Sequence, residues 1–124
     1  MIIGRIERLH ALIPITFRLP GRPDLTIEFV IDTGFTGSLA LPAQAVAALQ
    51  LPYVEEVTAN LANDTDVNMD VHAATILWNG IDLEVRVLAA GKRALLGTGL
   101  LAGNELIAQF VGGGRVAVNE LRPD

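Results

Sequence analysis

The chain contains no cysteine among its 124 residues, which excludes disulfides, thiolate metal sites and a cysteine nucleophile. Aromatic residues are also scarce, at 5% of a sequence that is 51% hydrophobic, so any core is built mainly from Val, Ile, Leu and Ala. Cations are few: 9 Lys and Arg face 14 Asp and Glu, for a formal charge of -5. Apart from the small cluster "GKR" at Gly91 to Arg93 they are scattered. A nucleic-acid surface needs clustered cations to neutralise phosphates, so no nucleic-acid partner is expected. Long apolar runs are missing as well. The stretch "ALLGTGLLAG" from Ala94 to Gly103 is far shorter than the roughly 20 residues of a membrane span. The opening "MIIGRIERLHALIPITFRLPG" is broken by Arg5, Glu7, Arg8 and Pro14 and lacks the pattern of a signal peptide. A cytoplasmic protein that does not enter membranes is the expectation.

What is present fits one domain, residues 1–124, with one modest core. The apolar share lies at the upper end of the roughly 45–50% usual for soluble domains, and the surplus points to a subunit interface. Most of the sequence reads as β-structure. "LIPITFRL" (Leu12 to Leu19) and "LTIEFVI" (Leu25 to Ile31) flank the turn residues "PGRPD" and form a hairpin. "LALP" follows as a short strand, and Pro42 opens the helical "PAQAVAAL". "YVEEVTANLA" and "VNMDVHAATILW" flank the polar "NDTD", a long hairpin tip. Asn79-Gly80 is a strong hairpin turn into "IDLEVRVLA". "ELIAQFV", the turn "GGG" and "RVAVNEL" close the chain. The expected class is all-β, a small closed barrel or sandwich with one or two short helices.

Two stretches carry candidate chemistry. In "EFVIDTGFTGSLALP" the continuous Phe29, Val30 and Ile31 predict a strand buried on both faces, ending in Asp32. Gly34 and Gly37 allow close backbone approach, and the amides of a tight glycine loop are natural donors to a carboxylate. Asp-Thr-Gly alone would equally serve as an exposed turn ending a strand. An apolar strand, the tripeptide and a second apolar strand closing in proline form a far more specific pattern. In the second stretch, "LLGTGLL", the glycine spacing misses the dinucleotide fingerprint, and no Gly-Lys-Ser/Thr marks a phosphate loop. It reads as Leu95 and Leu96 completing a buried strand, Gly97 allowing close packing, and a short helix beginning near Thr98.

Together these stretches resemble the retropepsin-like aspartic proteases, and in particular the small bacterial members. The resemblance spans roughly Ile15 to Val118 and implies a closed acid-protease barrel. By position, Asp32 matches the catalytic aspartate, Thr33 the threonine bracing two catalytic loops, and Gly34 the glycine whose amide faces the carboxylates. Leu95, Leu96 and Gly97 match the structural hydrophobic-hydrophobic-Gly element, and Asn63, Asp64 and Thr65 fall at the flap tip. The chain departs from the family at Phe35, where a small residue is usual, and at Gly99, where Asp or Asn is common. The first places a bulky group by the site floor; the second implies a missing polar brace.

The chemistry requires two carboxylates sharing one water and one proton, yet no other aspartate repeats the context of Asp32. A two-fold homodimer is the consistent solution, and the resemblance implies that the termini pair across its interface. The expected partner is an extended peptide or protein substrate with apolar side chains. The competing reading is a catalytically inactive peptide-binding or assembly module on the same fold. A third is a ligand-binding barrel in which Asp32 is structural. No metal or cofactor is expected: His10 and His72 lie far apart, and Asp64, Asp66 and Asp70 lack the glycine and closing Glu of an EF-hand. Ser38 is framed by no Gly-x-Ser-x-Gly, and Trp78 reads as a packing residue.

Overall fold

The computed structural model describes residues 1–60 and 63–122. In chain order the elements are β1 Ile2–Glu7, β2 His10–Arg18, β3 Leu25–Ile31, β4 Leu39–Leu41, α1 Ala43–Leu49, β5 Tyr53–Asn60 and β6 Asp66–Trp78. They continue as β7 Ile81–Ala89, β8 Leu95–Leu96, α2 Thr98–Leu101, β9 Asn104–Ala108 and β10 Arg115–Glu120. The fold is therefore mostly β with two short helices, and the hairpins at Pro20–Asp24 and Asn79-Gly80 form where their turn residues stand. At the second, Asn79 and Gly80 both adopt positive φ (50° and 81°), the requirement of a two-residue hairpin that follows the twist of its strands.

Among the described residues all strands belong to one 10-stranded sheet in the order β5-β6-β7-β4-β8-β3-β2-β1-β10-β9. A further pairing, Phe17↔Ile76 and Arg18↔Thr75 between β2 and β6, links the strands from β6 to β2 into a ring. The core fills this ring. On β2 the alternating residues Ile13, Ile15 and Phe17 are fully buried, as period-two patterning requires. Phe17 stacks on Phe29 with ring centroids 6.0 Å apart. Trp78, 5% exposed, packs in the same cluster, as its reading as a packing residue anticipated.

Three features differ from the expectations. First, Ile2–Glu7 is a strand, paired on one side with β2 and on the other with β10 (Ile2↔Val118 to Arg5↔Arg115). The two ends of the chain thus pair with one another inside the protomer, and β10 is flanked on its other side by β9. Neither is free in the manner the resemblance implied. Second, the run "ELIAQFV" leaves the sheet at Ala108, and Phe110 and Val111 stand exposed in the turn to β10. Third, Phe29 is fully buried, but Val30 and Ile31 are only half-buried. The reason is that β3 ends at an open face of the protomer, so the apolar run marks a strand covered on one side.

Candidate active site

Asp32 is held by continuation of the sheet. The N–H of Val30 donates to the Ala94 carbonyl at 2.9 Å, and that of Asp32 to the Leu96 carbonyl, also at 2.9 Å. These bonds extend the parallel β3–β8 ladder (Val30↔Leu95, Ile31↔Leu96) one residue past the strand. Parallel partners need a long crossover, so the segment that fixes Asp32 comes from far along the chain. Asp32 as a residue is half-buried, and its Oδ1 accepts the Gly34 N–H at 2.9 Å. Phe35 N–H closes the loop on the Asp32 carbonyl at 3.1 Å. Thr33 and Gly34 are exposed, and the Thr33 hydroxyl finds no partner among the described residues.

The second motif lies directly against this loop. Gly97 N–H donates to the Ser38 carbonyl at 2.9 Å, Thr98 N–H to the Phe35 carbonyl at 2.8 Å, and Gly99 N–H to the Gly37 carbonyl at 3.1 Å. The Thr98 hydroxyl adds a bond to the Phe35 carbonyl at 3.3 Å. A Cβ at Gly97 would lie 2.3 Å from the Gly37 oxygen and 2.4 Å from the Phe35 oxygen, so only glycine fits. Leu96 is fully buried beneath the loop and Leu95 half-buried. The structure thus brings Asp32 and the Leu95–Gly97 element together.

Both departures acquire a physical account. The Phe35 ring fills the space that side chains at Gly37 and Gly97 would need, 2.6 Å from a Cβ at either position. Phe35 is half-buried there, packed on the loop's own glycines. At Gly99 a Cβ would sit 2.7 Å from the Thr36 oxygen, so an Asp or Asn has no room. The Gly99 N–H supplies the brace directly, and the polar contact inferred to be missing is replaced by backbone.

Asn63, Asp64 and Thr65 lie beyond the last β5–β6 pair, Asn60↔Asp66. There Asn63 Oδ1 accepts the Thr65 N–H at 3.2 Å, and Asn60 Nδ2 donates to Asp66 at 3.0 Å. The same hairpin carries the sole tyrosine. Tyr53 packs edge-on against His72, with centroids 5.6 Å apart. Partial desolvation, then Asp70, Glu56 and Glu55, raise its phenol above the ordinary value. Among the described residues no three His, Asp or Glu side chains gather as a metal site, and no helix is long and apolar enough to cross a membrane.

The same architecture exists in a solved structure. A retropepsin-like aspartic protease from Rickettsia conorii superposes on 98% of this chain and 91% of its own, with a TM-score of 0.58 at 17% sequence identity. The chain has the retropepsin-like fold. No family model matches the sequence, and no curated protein matches it either. Sequence alone missed the bracing roles of Thr98 and of the Ser38 and Gly37 carbonyls. The only trace of them was the glycine at 97 and 99, which signals crowding without naming the neighbour.

Proposed function

We propose that the chain is an aspartic endopeptidase acting as a two-fold homodimer, in which two Asp32 carboxylates activate one water. The observation carrying this reading is Asp32 itself. It is set by the sheet ladder and the Gly34 amide on a loop backed by the Leu95–Gly97 element, with no second acid of that context in the chain. One protomer supplies half of the chemistry, and an isologous contact supplies the rest. Two carboxylates that close share one proton. The ionised one takes a proton from water while the protonated one polarises the scissile carbonyl, and the tetrahedral diol collapses with proton transfer to the amine. Gly34 fixes the carboxylate rotamer, and the unpartnered Thr33 hydroxyl is available to brace the facing loop.

On this reading the ring of strands from β2 to β6 is the family's closed barrel, the whole chain is one domain, and the β5–β6 hairpin is the flap with Asn63, Asp64 and Thr65 at its tip. An extended peptide would lie between protomers, held by main-chain hydrogen bonds. The absence of cysteine suits a cytoplasmic setting. The test compares wild type and Asp32→Asn on a peptide library between about pH 4 and 7, with sedimentation read in parallel. Cleavage by wild-type dimer and at least a hundredfold loss in Asp32→Asn are expected. Equal cleavage by the two, or a monomer at micromolar concentration, refutes the reading.

A further inference from the structure

A recess opens on the same face as Asp32. Side chains two residues apart on a strand share a face, about 7 Å apart along it. Glu28 and Val30 therefore lie in line with Asp32, whose N–H continues the β3 ladder. Beside them is a cleft of ≈ 320 Å³, at the small end for ligand pockets and suited to one or two side chains. Its floor is apolar, formed by the half-buried Leu12, Val30 and Ala94.

Its rim is charged, and the charges are unequally used. The carboxylates of Glu7 and Glu28 both accept from Arg5, which spans them: Nη2 reaches Glu7 at 2.8 Å and Glu28 Oε1 at 3.1 Å, and Nη1 also meets Glu28. Arg5 therefore ties down both acids of the cleft and offsets one of their two charges. The remaining cations are not matched. Arg93 meets only the His10 Nε2, at 3.1 Å, and Arg8 has no acidic partner among the described residues. Arg5, Arg8 and Arg93 against Glu7 and Glu28 leave a single positive charge here, and Arg8 and Arg93 are the cations that no acid occupies.

Backbone strain marks the same place. Arg8 and Leu9 form the β1–β2 turn with φ of 51° and 66°, values that side chains other than those of Asn, Asp or Gly adopt at a cost. Leu9 is exposed, so burial does not explain the choice. Residues kept in such conformations cluster at ligand clamps. The two-residue turn requires these values, and Arg8 at its first position lines the cleft.

We infer that this cleft is a substrate subsite for an acidic side chain. Its methylenes lie on Leu12, Val30 and Ala94, and its carboxylate is taken by Arg8 and Arg93 beside His10. The inference rests on the peptide-binding reading above and specifies its chemistry: apolar lining alone would not select a charged residue.

Binding to Asp32→Asn protein tests it without cleavage, using labelled, amidated octapeptides of Ala and Leu in which one Glu, Gln or Lys is moved along the chain. At one position Glu is expected to bind about fivefold tighter than Gln, and Lys more weakly, with the advantage shrinking as salt is raised. The double change Arg8→Gln with Arg93→Gln removes the advantage of the Glu peptide over the Gln peptide. Replacing the turn by Arg8→Asn with Leu9→Gly raises Tm while weakening the Glu preference, which a purely structural role for Arg8 would not do. No peptide bound, no Glu advantage at any position, or an advantage surviving the double change overturns the assignment. Wild-type cleavage of the same peptides separates the two claims. A Glu preference without cleavage defeats the peptidase reading alone, and cleavage without preference defeats the subsite alone.

Discussion

At Gly37 a Cβ would lie 2.6 Å from the Cζ of Phe35, so the two residues constrain each other. Gly37→Ala in the natural background is expected to cost about 1–3 kcal/mol by overpacking, and in a Phe35→Ala background close to nothing. A urea-denaturation double-mutant cycle measures that coupling, and additive effects would show that the ring does not set the glycine. Gly97→Ala meets carbonyl oxygens of the backbone, and no partner substitution should rescue it. At this scale the sequence was only half legible. Asp32, Gly34 and Gly97 announced themselves by type and order. Whether Phe35 obstructs the acid or fills a hollow depends on its rotamer, which no pattern encodes. The same holds for Gly99, whose meaning reversed once Thr36 was seen against it. Of the cleft residues, Arg8 was legible only as a scattered cation, Arg93 only as the end of the small cluster "GKR" and His10 only as a lone histidine, because Arg93 is brought to the other two by sheet pairing between segments far apart in the chain.

Among the elements, those with punctuation in the sequence were readable and those without it were not. β3 and β7 lie where alternation and flanking turn residues put them. β1 was invisible because its turn into β2 is Arg8-Leu9, with none of the Gly, Asn or Pro that marks a hairpin. Helix α1 begins at Pro42 without a side-chain cap, and its last carbonyls are taken by Arg22 from the β2–β3 turn, at Ala48 and Leu49. A cation at a helix C-terminus stabilises by about 0.3–1 kcal/mol, so Arg22→Ala should reduce the free energy of unfolding by an amount of that order in a urea titration, while Arg22→Lys retains part of it. The β5–β6 hairpin offers a spectroscopic handle, since Tyr53 is the sole tyrosine. Its phenol should titrate above about 10, and Asp70→Asn should bring the midpoint down in an alkaline absorbance titration. The sign follows from linkage. A raised folded-state value means a contribution to stability that is complete below about pH 10 and lost as pH rises through the folded-state value.

At the level of the whole molecule, the termini decide how assembly and folding are related. β10 is paired on both sides within the protomer, by β1 and β9, and Ile6 of β1 joins Val116 in a small core of its own. Deleting residues 1–7 should therefore lower protomer stability by about 3 kcal/mol or more, independently of protein concentration. A loss seen only on dilution would mean that β1 serves the dimer and not the protomer. Any dimer has to be built on surfaces other than these strand edges, and the half-buried outer side of β3 beside Asp32 is the one continuous with the proposed chemistry.

The parallel pairing of β3 with β8 also sets a time of assembly. The amide of Asp32 is tied to the carbonyl of Leu96, so a chain still leaving the ribosome carries this aspartate on an unanchored segment until Leu96 has been made. Whatever Asp32 does, it begins to do late. The growing polypeptide and its neighbours on the same message are out of its reach until the fold around it is nearly complete.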